Sequence, residues 1–119
     1  MENMITVYLN VLGKIPVIGL IMLASLSVII GDYAAKAWSV NHKGLLLLVA
    51  FVGYFFSAFF YTPTLLREGL IITSVIWVLL STIGFILIGL LIFKETLSAL
   101  QAVAVVLGII SIFILTIFD

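Results

Sequence analysis

An acid and a base lie within an otherwise apolar part of the chain, in the stretch IIGDYAAKAW at residues 29–38. Asp32 and Lys36 are four residues apart, so on a helix they share one face, and Ser25 lies on the same face. The acid precedes the base, which is the order that favours a helical ion pair. A carboxylate in such a position could take up and release a proton or a cation.

The composition indicates where this pair lies. Of the 119 residues, 66% are hydrophobic and 8% are charged, with a mean hydropathy of +1.50, whereas soluble domains carry about 25% charged residues. The sequence therefore predicts an integral membrane protein. The formal net charge of zero leaves no basic surface for nucleic acid, and the absence of cysteine excludes disulfides and thiolate metal sites.

Four apolar stretches have the length of membrane-spanning helices, at about 15–38, 44–61, 70–93 and 97–118. Because the breaks between them are short, neighbouring helices should run antiparallel. The predicted fold class is thus an all-α membrane protein, with four transmembrane helices in one domain over residues 15–119.

Residues 1–14 are too polar to span a membrane. Two interpretations remain open for them. They form either an interfacial helix, with Met4, Val7, Tyr8 and Val11 on one side, or a lead-in to the first span.

At its predicted depth, the Asp32 side chain raises the free energy of inserting the first helix into the membrane. It lies roughly 8 Å from the middle of the first apolar stretch, and Lys36 roughly 14 Å, at about 1.5 Å per residue. An acid near mid-membrane costs about 2.5 to 3.5 kcal/mol on insertion scales, whereas a lysine near the end reaches water. In one interpretation Asp32 binds a proton or cation. In the other, Asp32 and Lys36 form a structural pair that ends the apolar part of the helix.

The third stretch places small and polar residues on one face, since Thr73, Trp77, Ser81 and Gly84 recur at three- and four-residue spacing. Close helix packing explains the small residues. Trp77 is about seven residues, or roughly 10 Å, inside the helix. There it favours a cavity, in which an indole can stack on a flat or cationic ligand.

The stretch SVIWVLLSTIGFILIGLLIFKETLSAL, residues 74–100, resembles the small multidrug resistance family, the four-helix branch of the drug/metabolite transporter superfamily. The positions that match the family's motifs in type and spacing are Gly31, Lys36, Trp77, Gly89, Phe93, Glu95 and Leu97. The resemblance covers about residues 21–118. It implies a dimer in which the first three spans build the substrate pocket and the fourth makes the dimer contact.

The departures from the family are equally specific. The membrane-embedded glutamate of the first helix is Val28 here, the tyrosine before the tryptophan is Ser74, and the glycine pair after it is Leu79 and Ser81. Asp32 is one turn after Val28 on the same face, and is the candidate replacement for the glutamate. The predicted substrate- and proton-binding residues are Asp32, Trp77, Ser25, Lys36, Ser74 and Ser81.

The fourth stretch carries Ala104, Gly108 and Ser111 at spacings of four and three, a small-residue pattern that predicts a dimer contact. Positive charges are nearly balanced between the two sides of the membrane: Lys14 and Arg67 against Lys36, Lys43 and Lys94. Either the chain inserts both ways up and forms an antiparallel homodimer, or the excess of one charge fixes a single orientation.

The remaining charged residues have simpler interpretations. Arg67–Glu68 and Lys94–Glu95 are predicted to be pairs in loops at the membrane surface. Glu95 is expected either to cap the fourth helix or to brace the short turn before it. His42 is expected to be a solvated loop residue.

The leading hypothesis is a small integral transporter that moves a small organic solute or cation by alternating access as a dimer, with proton coupling through Asp32. A lipid-linked sugar flippase subunit and a non-transporting membrane module, or half of a heteromer, are the alternatives. The single histidine, in a loop, supports no catalytic set, so neither an enzyme nor a cofactor or metal is predicted. The expected partners are the bilayer, a second copy and a small-molecule substrate. The resemblance implies a prokaryotic cytoplasmic membrane.

Overall fold

The computed structural model of the chain describes residues 2–117, except the side chains of Glu2 and Thr116. Met1, Phe118 and Asp119 lie outside the described residues, and with them the predicted end of the fourth stretch. The helices, in chain order, are α1 (Glu2–Gly13), α2 (Val17–Asn41), α3 (Gly44–Tyr61), α4 (Leu70–Leu91) and α5 (Ala99–Ile117), with a 3₁₀ turn at Thr62–Leu66 after α3. Within 2–117 there is no strand, so the all-α fold class is confirmed for this part of the chain.

Three segments are long and apolar enough to cross a membrane: Val17–Asn41, Gly44–Leu66 and Leu70–Leu91. The fourth apolar helix is shorter, over Ala99–Leu115. The protein is therefore a multi-pass membrane protein by the length and composition of its helices.

The long helices lie in a row. α2 packs between α3 and α4, and α5 packs against α4. The Cα atoms extend over 50 × 43 × 16 Å, so this row is a single layer of helices. α5 contributes no buried residue in the described part of the chain. Both faces of the layer are consequently open over the described residues.

The backbones of α2 and α3 approach closely at two glycines. A Cβ atom added to Gly53 would lie 2.8 Å from the carbonyl oxygen of Ser27 and 2.9 Å from the Cα atom of Gly31. The Ser57 hydroxyl also donates across this interface to the Ala24 carbonyl oxygen, at 2.8 Å. Glycine at both positions lets the two backbones approach, as is common between membrane helices.

The helix ends follow local rules. His42 ends α2 in the left-handed region, with φ 60°, and its N–H donates to the Trp38 carbonyl oxygen at 2.7 Å. Ser98 and Gln101 form a reciprocal capping pair at the start of α5: the Gln101 N–H donates to the Ser98 hydroxyl at 3.2 Å, and the Ser98 N–H donates to the Gln101 side-chain oxygen at 3.0 Å. The cap of α5 is therefore Ser98 and not Glu95.

Candidate functional site

Asp32 is held by a tyrosine on the neighbouring helix. The Tyr54 hydroxyl, on α3, donates to Oδ1 of Asp32, on α2, at 2.7 Å. The ring of Tyr54 lies against Gly31, where an added Cβ atom would be only 2.9 Å from the Tyr54 Cε1 atom. The absence of a side chain at Gly31 thus lets the tyrosine reach the carboxylate. A hydrogen bond to a charged group contributes about 1.5 to 3 kcal/mol.

One face of Asp32 opens into a groove between α2 and α4, which we call the Asp32 groove. Its volume is about 210 Å³, and it is lined by Val28, Asp32, Trp77, Val78, Ser81 and Phe85. The structure therefore brings together Asp32, Trp77 and Ser81, three of the residues singled out in the sequence. Val28, at the position of the resembled family's glutamate, faces the same groove.

Trp77 has an aromatic neighbour that sequence inspection did not find. Tyr61, at the end of α3, stacks on the Trp77 ring, with centroids 4.5 Å apart and planes 28° apart. The Tyr61 hydroxyl is 2.6 Å from the Ser74 hydroxyl, so the two share a hydrogen bond. Ser74 is thus directed to Tyr61, and a ligand would meet the edge or the other face of the indole.

Four buried polar atoms on α2 and α4 have no hydrogen-bond partner among the described residues. They are the hydroxyls of Ser25, Thr73 and Ser81 and the indole nitrogen of Trp77. Each such atom costs about 1 to 3 kcal/mol unless water or a ligand binds it.

Other hydroxyls of the chain behave differently. Those of Ser27, Thr62 and Ser111 each donate to the carbonyl oxygen four residues earlier, at 2.8 to 2.9 Å, in α2, at the end of α3 and in α5 respectively. A serine or threonine hydroxyl in a helix can make its hydrogen bond in this way. The hydroxyls of Ser25, Thr73 and Ser81 do not, so they remain without a partner among the described residues.

Lys36 does not pair with Asp32, although their spacing suggested it. Its ammonium lies 3.7 Å from Oε1 of Glu95, in the loop between α4 and α5, and both side chains are about half exposed. The Glu95 N–H also donates to the Gly89 carbonyl oxygen at 2.9 Å, so Glu95 braces this turn. Such an exposed pair contributes only about 0 to 1 kcal/mol, and Lys36 lies outside the Asp32 groove.

The predicted dimer residues lie on an open surface. Ala104, Gly108 and Ser111 of α5 are all exposed, and a Cβ atom added to Gly108 would meet nothing within 4 Å. The Ser111 hydroxyl is bonded to Leu107 within its own helix. This surface could accept another helix at short distance.

α1 is attached to the end of α3 by Tyr8. The Tyr8 hydroxyl donates to the Phe59 carbonyl oxygen at 2.5 Å, and the two rings are 4.7 Å apart. In an unbroken helix that carbonyl would accept the N–H of residue 63, but Pro63 has none. Partial burial raises the pKa of the Tyr8 hydroxyl, so it stays protonated as the donor.

Arg67 supports the same attachment. Its guanidinium donates to the carbonyl oxygen of Leu12 in the last turn of α1, at 3.2 Å, and to that of Ile15 just after the helix, at 2.9 Å. Arg67 is therefore bonded to α1 and not to Glu68, with which a loop pair was expected. The predicted apolar side of the N-terminal helix, Met4, Val7, Tyr8 and Val11, lines a groove of about 530 Å³ with Asn3 and Phe59.

No protein-family model, curated protein sequence or solved structure matches this chain. The resemblance to small multidrug resistance proteins consequently depends on the motifs given above.

Proposed function

We propose that this protein is a small integral membrane transporter, similar to small multidrug resistance proteins, which moves a small organic solute or cation by alternating access. The observation that carries the proposal is the Asp32 groove. There a carboxylate, an indole and a buried hydroxyl meet in one groove between two largely apolar helices. Ionisable groups inside membrane segments mark substrate and ion pathways more often than purely structural sites.

The lining of the groove suits an organic cation. Asp32 supplies the negative charge, while Trp77 and Phe85 supply aromatic surface that attracts cations by their π-systems. Val28 and Val78 offer apolar contact for the rest of the molecule. Since the groove contains one acid, a cation and a proton would compete for it, and this competition is the proposed coupling.

Tyr54 gives the carboxylate a fixed position. Its hydroxyl occupies Oδ1 of Asp32 and leaves the other carboxylate oxygen for a cation. A carboxylate oriented in this way loses little freedom when a cation binds, which favours binding.

We further propose that the working unit is a homodimer. One chain forms a single layer of helices with an open groove of only about 210 Å³, below the roughly 300 to 1,000 Å³ of sites for drug-sized ligands. A second layer would close the groove and cover Gly108 on α5. In this proposal α5 is the fourth span, since 19 residues extend over about 28 Å. The nearly balanced charges favour an antiparallel pair, and the resemblance to the family implies a prokaryotic cytoplasmic membrane.

A lipid-linked sugar flippase subunit is the second candidate, and Val28 favours it. That residue makes part of the Asp32 groove apolar at the position where the resembled exporters carry glutamate. A neutral or lipid-linked cargo would not need the carboxylate. A non-transporting module or half of a heteromer would need neither the carboxylate nor the groove.

Uptake into proteoliposomes tests the proposal. Monovalent organic cations are offered under an imposed pH gradient, and the wild-type chain is expected to accumulate at least one of them. Asp32→Asn should abolish this uptake, whereas Glu95→Gln, a matched acid-to-amide change outside the groove, should retain it. Equal uptake by the wild type and Asp32→Asn would overturn the role of Asp32. No uptake of any cation by the wild type would overturn the transporter proposal.

A further inference from the structure

A second polar cleft lies where the N-terminal ends of α2 and α4 meet, and we call it the Glu68 cleft. Its volume is about 230 Å³, and Glu68 and Thr73 are the polar residues among those that line it. Its apolar walls include Ile18 and Ile21 of α2, and Ile72 and Ile76 of α4. None of its lining residues is shared with the Asp32 groove. It is therefore a separate place for a ligand.

Thr73 is the polar group in the floor of this cleft. It is only 1% exposed, and its hydroxyl has no hydrogen-bond partner among the described residues. The carbonyl oxygen four residues earlier, that of Gly69, accepts the Thr73 N–H at 3.2 Å, but the hydroxyl is not bonded to it. A deeply buried hydroxyl that is left unpaired beside a cleft points to a bound partner.

Glu68 supplies a negative charge at the rim and has no ion-pair partner among the described residues. Its neighbour Arg67 directs two guanidinium nitrogens to the carbonyl oxygens of Ile15 and Leu12. Across residues 2–117, the ion pair that forms is Lys36–Glu95, which involves other residues. The carboxylate of Glu68 is thus exposed and free to attract a cation.

We propose that the Glu68 cleft binds a primary ammonium group on a short alkyl or lipid-linked chain. Glu68 would hold the charge, and the Thr73 hydroxyl would accept one of the ammonium hydrogens. The isoleucines would contact the carbon chain. A quaternary ammonium has no N–H to give to Thr73, so the cleft should select primary amines.

Two further properties limit the ligand. The volume is smaller than the roughly 300 Å³ from which drug-sized sites begin, so only a small head and a few carbons fit. The side chains of Glu68 and Thr73 do not supply the six to eight oxygen ligands that Ca²⁺ takes.

A primary ammonium can come from a soluble alkylamine or from an ethanolamine lipid headgroup, since both present the same group.

The test uses the full chain in phosphatidylcholine nanodiscs, with ¹³C-labelled isoleucine methyl groups. n-Hexylammonium should shift the Ile72 and Ile76 methyl signals with saturation, and n-hexyltrimethylammonium should bind at least about tenfold more weakly, the change expected from one lost hydrogen bond. Nanodiscs that contain phosphatidylethanolamine distinguish the two sources. If they produce the same shifts and compete with the free amine, the lipid headgroup is the ligand; if they do not, the soluble amine is.

Variants make the test specific. Glu68→Gln and Thr73→Val should each weaken binding of n-hexylammonium by about tenfold or more. Thr73→Ser, which keeps the hydroxyl, and Thr82→Val, a matched change on α4 outside the cleft, should retain it. Asp32→Asn should also retain it, so failure of the proposed transport leaves this result standing. Equal binding of the primary and quaternary amines, or binding unchanged in both Glu68→Gln and Thr73→Val, would overturn the proposal.

Discussion

The Tyr54 hydroxyl donates to the Asp32 carboxylate at 2.7 Å across the interface of α2 and α3. This bond joins α2 and α3, whose backbones meet at two glycines, Gly31 and Gly53. The carboxylate in the groove is therefore anchored to a closely packed helix interface. Movement of α4 would change the groove without releasing Asp32 from its partner.

Replacement of Tyr54 by Phe should weaken this anchor. The variant keeps the ring against Gly31 but removes the donor, so we expect a loss of roughly 1 to 3 kcal/mol in the free energy of unfolding in detergent. Tyr33→Phe, which removes the hydroxyl of a different tyrosine on α2, one whose ring lies 5.6 Å from that of Phe93, is the control. Chemical unfolding followed by circular dichroism measures both. A stability of Tyr54→Phe equal to that of Tyr33→Phe would contradict the anchoring role.

Replacement of Gly53 by Ala should separate α2 from α3. The new Cβ atom would lie 2.8 Å from the Ser27 carbonyl oxygen, and both are bound to rigid helix backbone. Overpacking of this kind costs about 1 to 3 kcal/mol, so a thermal melt should show a lower midpoint than the wild type. Gly44→Ala, where the added atom meets nothing within 4 Å, is the matched control and should not be destabilised. Equal melting temperatures of the two variants would show that the glycine contact is unimportant.

The attachment of α1 depends on Tyr8 and Pro63 together. Tyr8→Phe should raise amide hydrogen exchange in α1, since the bond to the Phe59 carbonyl is lost. Pro63→Ala introduces an N–H that can take the same carbonyl. The effect of Tyr8→Phe should therefore be smaller in the Pro63→Ala background. Equal effects of Tyr8→Phe in both backgrounds would mean that Pro63 does not leave the Phe59 carbonyl to Tyr8.

The sequence was most informative about the length and order of the elements. Apolar runs broken by charge predicted helices near 44–61 and 70–93, and α3 and α4 occupy 44–61 and 70–91. Helical spacing also placed Trp77 and Ser81 on the face that meets Asp32. These features depend on local periodicity, which can be read without knowledge of the packing.

The partners of the charged residues could not be predicted in the same way. Spacing pointed from Asp32 to Lys36, because both lie on one helix. The observed partners, Tyr54 and Glu95, are 22 and 59 positions away from them along the chain, and packing alone brings them close. The sequence indicates Tyr54 and Tyr61 only weakly, as residues with hydroxyl groups within the aromatic run GYFFSAFFY.

Membrane orientation follows from the loop charges. The chain has no cysteine, so single cysteines can be placed at the exposed positions Val40, Thr96 and Leu66. With balanced charges, membrane-impermeant reagents should label each of them from both sides of the membrane. Labelling of Val40→Cys and Thr96→Cys from one side only, with Leu66→Cys from the other, would contradict the antiparallel homodimer.

Proton release on cation binding tests the central claim most directly. Purified protein in a weakly buffered solution is mixed with a transported organic cation, and the pH is recorded. If cation and proton compete for Asp32, the wild type and Glu95→Gln should release protons, and Asp32→Asn should release none. Proton release from Asp32→Asn equal to that of the wild type, or none from the wild type, would contradict the proposed role of Asp32.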